Sequence, residues 1–460
     1  MPSPSRLTLM TAAVLSLAAC GGGGSPTADT DRVPAGAGEA GGAELIVRLG
    51  AVDVASLAAS NGLTVLDQFG RRPIWRLRLP AGGDAAAVLE RLRGVSGVLN
   101  AELNQQSQTP EARARNVVWA IGGDAGSYAS QWGPAAVRLP QVEGVAPGTG
   151  VRIAILDTGV DMTHPALAGR LARRADGRVL GRDFVDGDDD PSDAGSRADA
   201  GHGHGTHVAG LAALAAPDAT LMPVRVLDSQ GAGNLWVLAE ALAWAVDPDG
   251  DPTTDDGAHV INLSLGTAQP TELLRLITAS VTCGDDDDDD DEDGDGEVDD
   301  DERDAAVRCA AGHGAVVMAA AGNDGSDSVL NHPGAEGVPG SRAVTASNAQ
   351  RQLPGFANRA SHVKLAAPGE QIISTVPGGG WGVWSGSSMA APWASGVAAR
   401  VLGTLPPGGD ASRPTLRQWR PEDVAKRLED RSALLCGTSI RQLDAAAAVL
   451  DLPGDDTPCP

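Results

Sequence analysis

The sequence is short of positive charge, short of cysteine and, past its first twenty residues, without a long apolar run. Thirty-five Lys and Arg stand against 60 Asp and Glu, a formal net charge of -25. No segment forms the basic face that nucleic-acid binding requires, so nucleic acid is excluded as a partner. No later stretch reads as a membrane span. Five cysteines in 460 residues leave the folded parts to be held mainly by their cores, and 42% hydrophobic residues are enough to build them. The length exceeds one compact core and suits two folded units with tails.

The one apolar run is at the start. MPSPSRLTLMTAAVLSLAAC carries a single basic residue, Arg6, then apolar residues from Leu7 to Ala19 and small residues before Cys20. This is the pattern of an export signal, too short for a mature spanning helix. Leu17-Ala18-Ala19-Cys20 also resembles the lipobox of bacterial lipoproteins, which implies cleavage before Cys20 and lipid on its sulfur. An ordinary signal with a chance cysteine is the alternative. The Gly-rich tether of residues 21–43 that follows suits an anchor. The chain is therefore expected in the cell envelope, as an outer-membrane or cell-surface lipoprotein, with release of a mature part. With Cys20 set aside, Cys283, Cys309, Cys436 and Cys459 remain. An even count in an exported chain points to disulfides, and proximity favours Cys283 with Cys309 and Cys436 with Cys459, out of three formal pairings.

Folding resumes at Glu44. ELIVRLG, LTVLDQF, IWRLRLP and GVLNAELN read as strands, and VDVASLAAS and DAAAVLERLRG as helices. The order β-α-β-β-α-β over residues 44–104 predicts a small ferredoxin-like unit. A polar connector, read as unstructured, runs over residues 105–124. From 125 to 450 short apolar strands, VRIAILD, TLMPVRVLD, HVINLSL and AVVMAAA, alternate with helical segments such as LWVLAEALAWAV. Near-continuous apolar strands are those of a parallel sheet covered on both faces. The fold class is thus α/β, a doubly wound, mainly parallel sheet, with sites expected at the carboxyl ends of its strands. Residues 451–460 form a tail.

Three segments carry chemistry-bearing residues. VRIAILD ends in Asp157-Thr158-Gly159, which alone could be a turn. GHGHGTHVAG over 201–210 places His202, His204 and His207 within six positions. SGSSMAAPWASGVAARVL over 385–402 puts Ser387 and Ser388 at a helix start, where free N–H groups can cap a helix or bind an oxyanion. AAAGNDG over 319–325 adds Asn323 after a strand.

In this order the blocks resemble the subtilisin-like serine proteases, the subtilases. Asp157-Thr158-Gly159 with Val160-Asp161, His204-Gly205-Thr206-His207-Val208-Ala209-Gly210 and Gly386-Ser387-Ser388-Met389-Ala390 with Pro392 match the three catalytic blocks. INLSLG (261–266) and AAAGNDG match two more. The resemblance covers roughly residues 125–450, and residues 44–104 resemble the family's inhibitory propeptide. It implies an endopeptidase in which Ser388 is nucleophile, His204 general base and acid, Asp157 the orienting carboxylate, and Asn323 with the Ser388 N–H the oxyanion donors. It also implies that Ser264, Leu265 and Gly266 wall the substrate cleft, that Asn331 lies near the floor of the primary pocket, and that an apolar residue precedes the cut. The implied partners are protein or peptide substrates and the chain's own propeptide, acting as intramolecular inhibitor of a monomer. Ser387 stands where the family more often has Thr, and Trp393 where many members have His.

The histidine cluster has the H-x-H-x-x-H spacing of some metallo-hydrolases, but Thr206 stands where that pattern has Asp, and no later ligand block follows, so no zinc is expected. Calcium is expected. Residues 285–304 hold 16 acids and one Arg, which is 15 of the 25 net negative charges. Within them Asp291, Asp293, Asp295, Gly296, Glu297, Val298, Asp299 and Glu302 fit the twelve-residue calcium-loop template. DPDGDPTTDD (247–256) is a weaker candidate. A second class of function fits the same tether and acids: a lipid-anchored, calcium-dependent binding protein on an inactive protease scaffold.

Overall fold

A computed structural model describes residues 42–114, 120–251, 254–283, 314–405 and 419–454. All belong to one unit, Gly36–Pro460, while the other, Met1–Ala35, lies outside the described residues. So do Cys20, the loop 291–302, Cys309 and Cys459. Cys283 and Cys436 are each disulfide-bonded.

The amino-terminal part follows the expected order. Strands Thr64–Gln68, Ile74–Arg78, Glu44–Leu49 and Val98–Leu103 lie side by side in that sequence, each pair antiparallel. The helices Val54–Asn61 and Ala85–Arg93 begin at Asp53 and Asp84, whose carboxylates accept the N–H groups of Ser56 and Ala87 at 2.8 and 3.1 Å. Alternation along the first strand divides its side chains. Leu45, Val47 and Leu49 pack with Leu57, Leu89 and Leu92 of the two helices, whereas Ile46 joins the core around Trp236.

The large sheet supplies the frame for the site. Thr220–Arg225, Arg152–Asp157, Val260–Leu263, Val316–Ala320, Ser341–Ser347 and Leu365–Pro368 are neighbours in that order, every pair parallel. Ile153 and Ile155 face helices His204–Ala215 and Ser387–Leu402, while Ala154 and Leu156 face helices Leu235–Val246 and Glu272–Thr282. Both faces are therefore dry, which is why the strands read as unbroken apolar runs.

The small sheet docks on the second pair of helices. A helix start leaves N–H groups without intrahelical partners, and here the amino-terminal part supplies the acceptors. Glu102 accepts from the N–H groups of Glu272 and Leu273 at 3.0 and 2.9 Å, and Asn104 Oδ1 accepts from that of Trp236 at 3.0 Å. Phe69 meets the Trp236 ring edge-on at 5.5 Å, and the Arg76 guanidinium lies 5.3 Å from the same ring.

The connector differs from its expectation. Gln106–Gln108 is a strand paired with Ala232–Asn234, Pro110–Ala114 is a helical turn, and Ala120–Ile121 pairs with Gly382 and Val383. Its polar side chains give no apolar period because its strands are held through backbone edges.

Replacing Glu102 with Ala strands two N–H groups at a buried helix start, a loss of about 1–3 kcal/mol. Calorimetry of the full-length chain, kept intact by Ser388→Ala, should show a lowered thermal midpoint when Glu102→Ala is added. An unchanged midpoint would mean that the cap contributes nothing to docking.

Candidate active site

The sheet and its helices bring the sequence-predicted residues to one place. Asp157 is the last residue of strand Arg152–Asp157, and His204 is the first of helix His204–Ala215. Ser388 lies in the first turn of helix Ser387–Leu402, and Asn323 follows strand Val316–Ala320 by three residues. All four are buried. The location is the carboxyl edge of a parallel sheet, where such folds place ligands.

His204 Nδ1 lies 2.7 Å from Asp157 Oδ1, which also accepts the Thr158 N–H at 2.8 Å. Trp384 meets the imidazole edge-on at 5.3 Å and so fixes its plane. On the far side of the ring stands a residue that sequence reasoning did not find. Glu111, from the connector, places Oε2 3.2 Å from His204 Nε2 and 2.6 Å from Ser388 Oγ. Its Oε1 accepts from Asn323 Nδ2 at 2.8 Å. The same Oε1 lies so close to Gly386 that a Cβ there would collide with it. One carboxylate therefore engages the hydroxyl, the imidazole and the amide together. Ser388 Oγ also reaches Ser264 O at 3.2 Å.

The charges follow from this enclosure. Burial disfavours the His204 imidazolium, but the carboxylates of Asp157 and Glu111 on its two nitrogens outweigh burial and hold its pKa well above 6.5. Burial likewise opposes ionisation of Glu111, and the bonds to His204 and Ser388 overcome it, leaving its pKa below 4.5. The pairing thus favours the charged form of His204 facing an ionised Glu111. His207, buried in the same helix, points Nε2 at the carbonyls of Ile372 and Gly382, and burial, followed by the neighbouring His204 charge, pulls its pKa down to about 3. His202 Nδ1 bonds to Ala194 O. The three histidines serve three separate sets of partners.

The predicted cleft residues meet the connector. Gly266 exchanges both backbone hydrogen bonds with Gln108 at 2.9 Å, and Thr109 N–H donates to Gly231 O at 3.0 Å. Gln106–Gln108 thus lies as a strand between Ala232–Asn234 and Gly266. Ser264 Oγ donates to Ser388 O at 2.9 Å, and Leu265 O accepts from Asn331 Nδ2 at 3.3 Å. Asn331 Oδ1 accepts from Arg113 at 3.0 Å. Ser387 uses its hydroxyl to accept the Gly322 N–H at 3.1 Å, and Trp393 is buried against Gly133, which has no room for a side chain.

The pattern of the subtilase family matches residues 148–438, and that of the fervidolysin N-terminal prodomain matches residues 37–104. The chain belongs to the subtilase family. It is 35% identical over 280 residues to the thermophilic serine proteinase of Bacillus sp. strain AK1, covering 58% of this chain and 56% of that one. To thermitase of Thermoactinomyces vulgaris it is 35% identical over 278 residues, covering 58% and 80%. Among solved structures, fervidolysin from Fervidobacterium pennivorans, a keratinolytic enzyme related to subtilisin, superposes with a TM-score of 0.64 at 21% identity over 91% of this chain and 61% of that one. That likeness shows the fold. It includes a subtilisin-like, mainly parallel α/β sheet and an amino-terminal prodomain.

The hold of Glu111 on His204 has a defined pH window. His204 is raised, so its contribution is complete below about 6.5 and is lost as pH rises through its higher folded value. Glu111 is lowered, so its contribution is present above about 4.5 and is lost as pH falls through its lower folded value. In a Ser388→Ala chain, kept intact for measurement, Glu111→Gln should lower the His204 pKa in an NMR titration. An unmoved titration would show that Glu111 does not face the ring in solution.

Proposed function

We propose that this subtilase is an exported serine endopeptidase made as a self-inhibited precursor. The observation that carries the reading is the convergence of Asp157, His204, Ser388 and Asn323 from four separated segments onto one buried point. In the working state His204 must be neutral at Nε2, take the Ser388 Oγ proton as the oxygen attacks a peptide carbonyl, and return it to the leaving amine. Water then cleaves the acyl-enzyme ester by the same route. Asp157 orients the Nδ1–H and stabilises the imidazolium that forms. Asn323 Nδ2 and the Ser388 N–H are the donors to the oxyanion, and loss of one such donor costs about 10²–10³ in turnover.

The precursor is blocked three times by one side chain. Glu111 takes the Ser388 hydroxyl proton's direction, keeps His204 charged and occupies the Asn323 amide. The prodomain, held by Glu102 and Asn104, keeps the connector in place. In this reading the lipid on Cys20 anchors the inhibitor side of the chain, and a cut between prodomain and peptidase releases the catalytic part from the membrane. A binding protein on an inactive scaffold leaves the complete residue set without a purpose.

Calcium is the second part of the proposal. The loop 291–302 lies outside the described residues, but the weaker tract is described. Carboxylate oxygens of Asp247, Asp249 and Asp256 lie within 4.8 Å of one another. Asp247 Oδ1 is buried without a hydrogen-bond partner. Burial and then the neighbouring acids push the pKa values of Asp247 and Asp256 up. Three hard oxygen donors that repel one another suit a calcium ion, which would offset that repulsion.

Ser388→Ala should remove labelling by a fluorophosphonate from the processed protein and leave a full-length, membrane-bound chain, where the wild type gives a shorter soluble one. Labelling that survives the substitution would refute the assignment of the nucleophile. Calcium should raise the thermal midpoint by mass action on the folded state. Deleting residues 285–304 between Cys283 and Cys309 should remove part of that rise, and Asp249→Asn the remainder. A midpoint indifferent to calcium in the wild type would discard both sites.

A further inference from the structure

We propose that the pocket beside Ser388 selects an arginine side chain at the residue whose carbonyl is attacked, with Asn331 and Asp324 as the residues that read it. The proposal rests on the endopeptidase reading above.

Arg113 already fills the pocket. Its Nη1 donates to Asn331 Oδ1 at 3.0 Å and its Nη2 to Asp324 Oδ2 at 3.0 Å. Asn331 is fully buried, and its amide has no choice of orientation. Nδ2 donates to Ala320 O at 2.6 Å and to Leu265 O at 3.3 Å, so Oδ1 is presented to the pocket. Asp324, whose side chain is partly exposed, is held by Asn358. Its N–H donates to Asn358 Oδ1 at 2.9 Å, and its Oδ2 accepts from Asn358 Nδ2 at 3.1 Å. Two acceptors therefore stand in fixed positions before any substrate arrives.

The walls fit the same occupant. Gly322, at φ 102°, brings its backbone against the guanidinium, and a Cβ there would lie 3.2 Å from Arg113 Nη2. Gly266 is hemmed in by Asn331 in the same way. The pocket adjoins the reacting groups, since the Gly322 N–H bonds to Ser387 Oγ and Asn323 is the next residue. A planar fork with several donors matches one neutral and one anionic acceptor better than a point charge does. An apolar side chain leaves the buried Asn331 Oδ1 without its donor, a penalty of roughly tenfold or more in discrimination. Arg113 lies two residues beyond Glu111, so the precursor satisfies the pocket from within a helical turn while no carbonyl is presented to Ser388.

The test uses the mature enzyme and peptide anilides that differ only in the residue before the scissile bond, Arg, Lys, Leu or Phe. Arg is expected to exceed Leu at least tenfold in kcat/KM, and Asp324→Ala to reduce the Arg-to-Leu ratio at least fivefold. Ser388-dependent turnover in which Leu or Phe equals or exceeds Arg overturns the pocket assignment and leaves the endopeptidase reading standing. If no peptide is turned over, the endopeptidase reading fails, and benzamidine still probes the pocket. It should raise the thermal midpoint of the full-length Arg113→Ala chain and not that of the wild type. Equal responses in the two overturn the proposal.

Discussion

One buried imidazole between two carboxylates governs this molecule. His204 can be a base only when the anion on Nε2 is gone, because Asp157 alone leaves that nitrogen open to Ser388. With Glu111 present the ring is charged, the Ser388 hydroxyl is turned to the carboxylate, and the amide of Asn323 is occupied. On the proposed mechanism, catalysis and inhibition compete for the same three atoms. A partial displacement of Glu111 would leave a buried carboxylate without its partners, which is costly, so the two states are distinct rather than graded.

The position of Glu111 depends on contacts far from it. Glu102 and Asn104 fix the end of the small sheet on the starts of two helices. Two residues later the chain is already a strand between Ala232–Asn234 and Gly266. The distance from the cap to the plug is short, and Gln105, Gln108 and Thr109 on the way are tied through their backbone to Leu235, Gly266 and Gly231. In the proposed precursor the prodomain would act less as a cover than as a ruler, setting which side chain reaches Ser388.

The fold was legible because its signals are local and periodic. Four apolar runs became four parallel strands, and alternation in residues 44–104 became the antiparallel sheet in its expected order. Asp157, His204, Ser388 and Asn323 were legible because each sits in a short block of neighbours with a distinct pattern. Glu111 and Arg113 had no such mark. Their partners Ser388 and Asn331 lie 277 and 218 residues away, and the stretch TPEARA reads as any polar linker. The one available hint was Pro110, which ends an extended segment and suits the first position of a helical turn. The weaker acidic tract shows the converse: spacing suggested oxygen donors, but only folding gathers Asp247, Asp249 and Asp256.

Pro110 also fits the proposed reading in which the connector is not cut where a substrate would be. Gln108 and Thr109 are bonded to the cleft through their backbone, which carries the chain toward Ser388 in the manner of a strand. The next residue has no N–H to continue the pairing, and Ser264 O accepts instead from Ser388 Oγ. The chain turns into the helical segment Pro110–Ala114, and a side-chain carboxylate, not a peptide carbonyl, meets Asn323. A carboxylate there carries the negative charge that the proposed oxyanion donors would stabilise, yet it is no electrophile for a serine hydroxyl. On the proposed mechanism the resting precursor is held by the same preference for a developing anion that speeds the reaction, and the first cut is made on a connector that has left this pose or by another molecule.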